Sequence, residues 1–295
     1  MSSPVPPATG LIGVRARRLS TTFRGIDLLG RIALGVLVGI LLIGVAGTFL
    51  HIGGDSSTIV GPRLAPPAPG WPLGTDSLGR SLLPRLFEGI ATTLALSVLA
   101  VAITALVSAT AGMIAGYHGG LAGGLIMRIG DILYAFPAIV LAILVATAVG
   151  PGVTTAVAAI VLVTVPLMTR MVGQEARSVA GRDFITAGII AGVSTPRILV
   201  RHVLRNVSGT IAVQGTYALS VAILVEGGLS FLGYGVQLPA SSLGLLIREG
   251  AIYMVTSPTL LLAPGVVLVI AILAINILGD SLRDLFEPRE TRSLE

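Results

Sequence analysis

The segment QEARSVAGRDFITAGIIAGVSTPRILVRHVLRN, residues 174–206, separates two strongly apolar runs of the chain. It carries five arginines, and an arginine costs about 2.5–3.5 kcal/mol at the centre of a bilayer. Because of that cost the segment is expected to lie outside the lipid, although its capping residues are too well patterned for an irregular loop. It therefore predicts a structured, basic element between two membrane spans, suited to docking another protein.

The composition of the whole chain is that of a membrane protein. Of 295 residues, 54% are hydrophobic and only 11% are charged, whereas a soluble domain carries about 25% charged residues. All 19 basic residues are arginine, so the phosphate-binding P-loop motif has no lysine and the chain is not expected to bind ATP itself. The lack of cysteine excludes disulfides and thiolate catalysis. We expect neither an enzyme nor a bound cofactor.

Six apolar runs are long enough to cross a hydrocarbon core of about 30 Å. They lie at 31–50, 89–116, 132–149, 153–171, 208–232 and 259–279. An all-α membrane protein with about six transmembrane helices is therefore predicted. The expected organisation is a tail over 1–30, a first helix over 31–50, an external segment over 51–88, a five-helix core over 89–279 that contains the 174–206 loop, and a tail over 280–295.

The arginines are unevenly distributed between the two sides of this arrangement. With the N-terminus in the cytoplasm and alternating spans, fifteen of the 19 arginines fall on the inner side and four on the outer side. The positive-inside rule predicts this bias, so both termini and the 174–206 loop are expected in the cytoplasm. The same bias accounts for the pI of about 10.4, and no nucleic-acid partner is expected.

Within 174–206, capping signals indicate two short helices joined by a turn. Asp183 can cap the first helix, and Gly192 stands where a helix end favours a left-handed residue. Ser194 or Thr195 can cap the second helix, which has a proline in its first turn. Arginines recur every four residues along this second helix. Instead of docking another protein, the helix could therefore lie on the anionic headgroups of the membrane surface.

The sequence FITAGIIAGVSTPRILVRHVLRN, residues 184–206, resembles the EAA loop of ABC importer permeases. Gly192 matches the family glycine and Leu204 the family leucine, whereas Thr186 replaces the glutamate and Arg205 the proline. The resemblance implies that this loop is the coupling element seated on an ATPase subunit. The coupling residues it implies are Arg182, Asp183, Thr186, Ala187, Gly188, Gly192, Arg197 and Leu204.

Four more segments resemble, in order, the C-type permeases of the oligopeptide, dipeptide and nickel importer family. They are PLGTDSLGRS at 72–81, RIGDILYAFP at 128–137, EGGLSFLGYG at 226–235 and NILGDSLRDLFEP at 276–288. The resemblance implies a type I importer architecture in the bacterial plasma membrane. The implied partners are a B-type permease, two ATPase subunits that bind the ATP, and an extracytoplasmic substrate-binding protein. Peptides are the commonest cargo of that family, and nickel and glutathione are the alternatives.

Charged residues near the span ends have more than one interpretation. Glu226 is a candidate for the translocation path, or a helix-end carboxylate held by an arginine or by loop amides. Asp131 is expected to pair with Arg128, and Asp76 with Arg80 to brace the external segment. The three histidines lack ligand spacing, so no metal site is expected. An ATP-independent transporter would show broken helices with charges at the midplane, often in two repeated halves. The sequence shows no internal repeat, and its charges cluster at the ends of the spans.

Overall fold

The computed structural model describes residues 27–286. Most of the predicted N-terminal tail, and the predicted C-terminal tail from 287 onwards, lie outside the described residues. The helices are α1 (Leu28–Phe49), α2 (Leu82–His118), α3 (Gly120–Tyr134), α4 (Ala138–Val149), α5 (Val153–Ala180), α6 (Asp183–Ile190), α7 (Thr195–Ile198), a π-helical turn (Leu199–Val203), α8 (Leu204–Leu232), α9 (Leu243–Ile252) and α10 (Thr259–Phe286).

The described part of the chain is helical apart from its connections and three isolated β-bridges. Five helices are long and apolar enough to cross a membrane when α7, the π-helical turn and α8 are counted as one rod. The bent pair α3 and α4 raises this number to six if it forms one span. The prediction of an all-α membrane protein with about six spans is confirmed.

The centre of the bundle is the contact between α2 and α5, where small residues let the two backbones approach closely. A Cβ atom on Gly116 would lie 2.3 Å from the carbonyl oxygen of Gly173, and one on Gly112 would lie 2.9 Å from that of Thr169. Only glycine fits at such a distance, as is common where membrane helices meet. α8 packs beside this pair, and α1 and α10 pack together on the outside.

The third span is not the continuous helix predicted over 132–149. It begins at Gly120, breaks between α3 and α4, and the two halves meet at an angle of 94°. Pro137 causes the break because it has no amide hydrogen to donate and because its ring disfavours a helical conformation at Phe136. Hydropathy did not reveal this break, since the apolar character continues through it.

Several helices extend beyond the apolar runs from which they were predicted. α1 begins at Leu28, α2 at Leu82, and α5 and α10 run on to Ala180 and Phe286. Helical hydrogen bonds do not require apolar side chains, so a helix continues into water after its hydropathy falls. The start of α1 is capped by Asp27, which accepts from the amide of Gly30 at 3.0 Å.

The two ends of the bundle differ in structure. One end, called here the α9 end, carries residues 51–81 together with α9, and these are joined by Arg85, which contacts both. The opposite end, called the α6 end, carries α6, α7 and the π-helical turn. The rod formed by α7, the π-helical turn and α8 therefore runs from the α6 end to the α9 end.

A buried ionic network at the α9 end holds residues 51–81 in place. Asp76 accepts from the Nε of Arg80 at 2.7 Å and from a guanidinium nitrogen of Arg85 at 2.7 Å. Arg85, which is fully buried, also donates to Glu249 of α9 at 2.5 Å. The predicted pairing of Asp76 with Arg80 is confirmed, and Arg85 and Glu249 extend it.

The surroundings of Asp76 also set its protonation. Burial acts to raise the pKa of Asp76, but hydrogen bonds from the amides of Arg80 and Leu78, together with the charge of Arg85, outweigh it and leave the pKa lowered. The carboxylate is therefore held in its charged form between two guanidinium groups.

Candidate functional sites

The C-terminal cap of α6 is the one predicted from the sequence, whereas the N-terminal cap is not. Arg182, rather than Asp183, is the N-cap residue, and no side chain caps the helix there. Asp183 lies in the first turn, where its charge interacts favourably with the helix dipole. At the other end Gly192 has φ of 75°, as predicted, and Val193 donates to the carbonyl of Gly188 at 3.0 Å.

One face of α6 is anchored in the bundle. Ile185 is 2% exposed and belongs to a core cluster built from α2, α5, α7, the π-helical turn and α8. Its partners there include Ile198 and Val203. Ile185 of α6 and the first residues of the long rod that ends in α8 therefore belong to one core cluster.

Three large apolar side chains of α6 are exposed. Phe184 is 42% exposed, Ile189 55% and Ile190 82%. These large side chains lie in a segment with five arginines, which are costly in the hydrocarbon region. An exposed apolar patch of this kind is typical of a surface that another protein covers. We call Phe184, Ile189 and Ile190 the α6 patch.

The sequence-predicted coupling residues lie mostly around this patch. Those that are exposed are Arg182, Asp183, Thr186, Ala187, Gly192 and Arg197. Gly188 is partly exposed, and Leu204 packs against the core cluster at the start of α8. Leu204 is therefore placed to stabilise the rod, away from the exposed face of α6.

The α6 patch itself was not among the predicted residues. A signal for it was present, because FITAGII contains four large apolar residues in a helix of eight, and so short a helix buries only one narrow face. The resemblance directed attention to the positions of the family motif, which are small or polar in this chain.

A cleft of about 540 Å³ opens beside the break between α3 and α4. Its walls come from the break itself, from the middle of α5 and from the middle of α8. The polar side chains on these walls are those of Tyr134, Thr164, Gln214 and Tyr217, and no described residue that lines the cleft is charged. We call this the break cleft.

Glu226 lies away from the break cleft, in the interior of the bundle. Its carboxyl group is fully buried and accepts from Thr93 of α2 at 2.9 Å and from Ser230 at 2.7 Å. Thr93 in turn accepts from the amide of Leu243 at the start of α9 at 3.0 Å. These contacts fit the structural role that the sequence left open, although the partners are hydroxyl groups rather than an arginine or loop amides.

Asp131 does not pair with Arg128. Its carboxylate instead forms an ion pair with Arg170 of α5, whose guanidinium group also lies 5.5 Å from the centre of the Tyr134 ring. The prediction was wrong because this side of α3 faces α5, and a cation on the neighbouring helix is better placed than one on the same helix.

Comparison with known proteins agrees with this architecture. Residues 108–292 match the family described as binding-protein-dependent transport system inner membrane component. The dipeptide transport system permease protein DppC of Alkalihalophilus pseudofirmus is 33% identical over 258 residues, covering 88% of this chain and 85% of its own length. The di/tripeptide transport system permease protein DppC of Pseudomonas aeruginosa is 36% identical over 217 residues, covering 74% and 72%.

A solved structure shows the same fold. A chain of the MetNI methionine ABC transporter in an inward-facing conformation superposes with a TM-score of 0.57, covering 69% of this chain and 97% of that chain, at 19% identity. The predicted ABC importer architecture is confirmed, and the inner-membrane location follows from the family. The chain belongs to the family of binding-protein-dependent transport system inner membrane components, the permeases of ABC importers.

Proposed function

We propose that this permease carries di- and oligopeptides and is driven by separate ATPase subunits that dock on α6. The α6 patch carries the proposal, because it is an apolar surface on a helix that is itself anchored to the transport bundle through Ile185. The names of the relatives support peptides as the cargo. ATP is hydrolysed by the partner subunits, since this chain contains no lysine for a P-loop.

The orientation follows from the same assignment. The α6 end faces the cytoplasm, where ATPase subunits are found, and both termini lie on that side. The α9 end then faces outward and receives the extracytoplasmic binding protein. A B-type permease completes the path, because one subunit with five or six spans leaves its break cleft open to one side.

Coupling requires that the ATPase subunits make different contacts in their two states. Closure of these subunits would move α6, and Ile185 would carry that movement to α5 and to the rod that ends in α8. Arg182 and Asp183 at one end of α6 and Arg197 beyond the other provide charges at the rim of the apolar patch. A polar rim around an apolar centre is the usual anatomy of a protein interface.

Replacing Ile190 by aspartate is expected to abolish copurification of the ATPase subunits with the permease. The side chain is 82% exposed, so the change leaves the permease fold intact and places a charge in the centre of the interface. Hot-spot residues of this kind cost about 2 kcal/mol or more when altered, which weakens binding by roughly 30-fold. Affinity purification of the tagged permease from solubilised membranes measures the effect.

Val255 supplies the matched control for this experiment. It is 92% exposed but lies at the α9 end, so replacing it by aspartate adds the same charge on the opposite side of the membrane. The control is expected to retain the ATPase subunits. Equal recovery of these subunits with both variants would contradict docking on the α6 patch.

Replacing Gly192 by valine is expected to uncouple ATP hydrolysis from uptake. Gly192 has φ of 75°, a left-handed conformation that costs other residues about 1–2 kcal/mol and β-branched residues more. The end of α6 would shift while the spans insert normally. Uptake and ATPase activity measured on the same proteoliposomes test this, with Gly181→Val as control because Gly181 has φ of −81°. Normal uptake by the Gly192→Val variant would count against a rigid coupling helix.

A further inference from the structure

The geometry points to the break cleft as a binding site for the transported peptide, which places an apolar side chain in the cleft and hydrogen-bonds its main chain to the broken helix. This inference rests on the proposed function and adds to it a position in the chain and a preferred class of cargo. Three features occur together at this place: a cavity, an interrupted membrane span and walls without charged side chains.

The interrupted span is the first observation. A backbone that leaves helical geometry at membrane depth is tolerated only where protein covers it or where it lines a wet cavity, because lipid offers its polar groups no hydrogen bond. At the break the amides of Ala135 and Phe136 donate to the carbonyls of Asp131 and Leu133, and the amides of Val140 and Leu141 both donate to the carbonyl of Pro137. The carbonyls of Ala135 and Phe136, which line the break cleft, accept no hydrogen bond from another described residue.

A peptide supplies the groups that this backbone needs. Its main-chain amides can donate to the carbonyls of Ala135 and Phe136. The cavity volume of about 540 Å³ falls within the range of roughly 300–1,000 Å³ typical of sites for small ligands. Sites of this kind in transporters are formed by discontinuous helices near the middle of the bilayer.

The walls of the cleft determine which side chain fits. Leu141, Val163 and Met168 provide apolar surface, and the described lining residues include no charged side chain. A lysine or aspartate side chain of a cargo peptide would therefore lose its hydration here without gaining an ionic partner. An aliphatic side chain loses nothing, so the cleft favours peptides with apolar side chains.

Two polar groups on α8 differ in their availability. The Tyr217 hydroxyl donates to Asp280 of α10 at 2.6 Å, which fixes that ring as part of the wall. The half-buried amide of Gln214 makes no hydrogen bond to another described residue. Gln214 is thus the side chain on this wall that is free to bind a peptide group.

Filling the cleft tests the inference. Ala218 is 8% exposed and lines the cleft, and Ala218→Trp would occupy the space meant for a side chain. Uptake of dileucine and of dialanine is measured in proteoliposomes with an unchanged binding protein. The ratio of dileucine to dialanine uptake is expected to fall roughly tenfold or more, since a pocket discriminates by about that factor per methylene group. Ala212→Trp, on an exposed position of α8, should leave the ratio unchanged.

Each outcome has a definite meaning. An unchanged uptake ratio in Ala218→Trp overturns the inference. The inference is also overturned if Ala218→Trp reaches the membrane but no longer copurifies with the second permease. That result would mean that the second permease, rather than a peptide, fills the break cleft. If Ala218→Trp does not reach the membrane, the KM for dipeptide uptake is measured in Gln214→Leu instead. A KM raised severalfold supports the site, and an unchanged KM overturns it. A wild-type complex that takes up no dipeptide would refute the proposed function instead.

Discussion

Replacing Asp76 by alanine is expected to lower the free energy of unfolding by about 3–5 kcal/mol, the usual cost of removing one member of a buried ion pair. Arg80 and Arg85 are 6% and 0% exposed, so both guanidinium groups would stay buried after losing the carboxylate between them. Arg85 would retain Glu249 at 2.5 Å, whereas Arg80 would retain only the same carboxylate at 4.0 Å. Thermal unfolding of the purified permease, followed by the fluorescence of its single tryptophan, Trp71, measures the loss.

The control for this change is Asp55→Ala. Asp55 lies in the same segment but is exposed, and among residues 27–286 its carboxylate accepts only from the amide and hydroxyl of Ser57. Exposed changes of this kind alter stability by about 0.5 kcal/mol or less. Equal unfolding temperatures for the two variants would show that the network contributes nothing to stability.

The same network predicts a dependence on pH. Because the pKa of Asp76 is lowered in the folded protein, its stabilising contribution is fully present above the unfolded value of about 3.9. The contribution is lost as the pH falls through the lower, folded pKa. The Asp76→Ala variant should lack this part of the acid destabilisation.

One ion pair of this network can be predicted from sequence spacing, and another cannot. Asp76 and Arg80 are four residues apart, so their pairing follows from spacing alone. Arg85 and Glu249 are separated by 164 positions, and no spacing rule connects α2 with α9. Arg85 falls within the external segment predicted over 51–88, and the sequence gives no sign that the fold buries it completely.

A similar limit applies to the membrane spans. Apolar length was enough to find every span, because the bilayer demands it. Apolar length does not report a change of direction, and the break at Pro137 interrupts a run whose hydropathy stays high. Asp131 was given a partner on its own helix for the same reason: sequence shows neighbours along α3, while α5 provides the closer cation, Arg170.

The C-terminal end of α6 was predicted correctly, since a helix cap depends on residues that are close together in the sequence. Gly192 ends the helix in the left-handed conformation that its position favoured. What the sequence did not reveal was which apolar residue turns inward. Ile185 is buried and Ile190 is exposed, and that division depends on how α6 lies against α5 and α7.

This division within α6 allows docking and transmission to be separated by one further variant. Replacing Ile185 by alanine removes a buried side chain that joins α6 to the rod of α7 and α8, a change that costs about 2–5 kcal/mol in a protein core. The α6 patch is untouched, so the ATPase subunits are expected to stay bound and active. Uptake per ATP hydrolysed is expected to fall by roughly 5–150-fold, the range that corresponds to a typical coupling free energy.

The comparison with Ile190→Asp makes the result specific. That variant is expected to lose the ATPase subunits, whereas Ile185→Ala is expected to keep them and lose the transport that they drive. Both effects are measured on the same complex, by copurification and by the ratio of peptide uptake to phosphate release. Wild-type uptake per ATP in Ile185→Ala would show that force reaches the spans by another contact. Loss of the ATPase subunits from Ile185→Ala would instead show that the buried face only positions the docking surface.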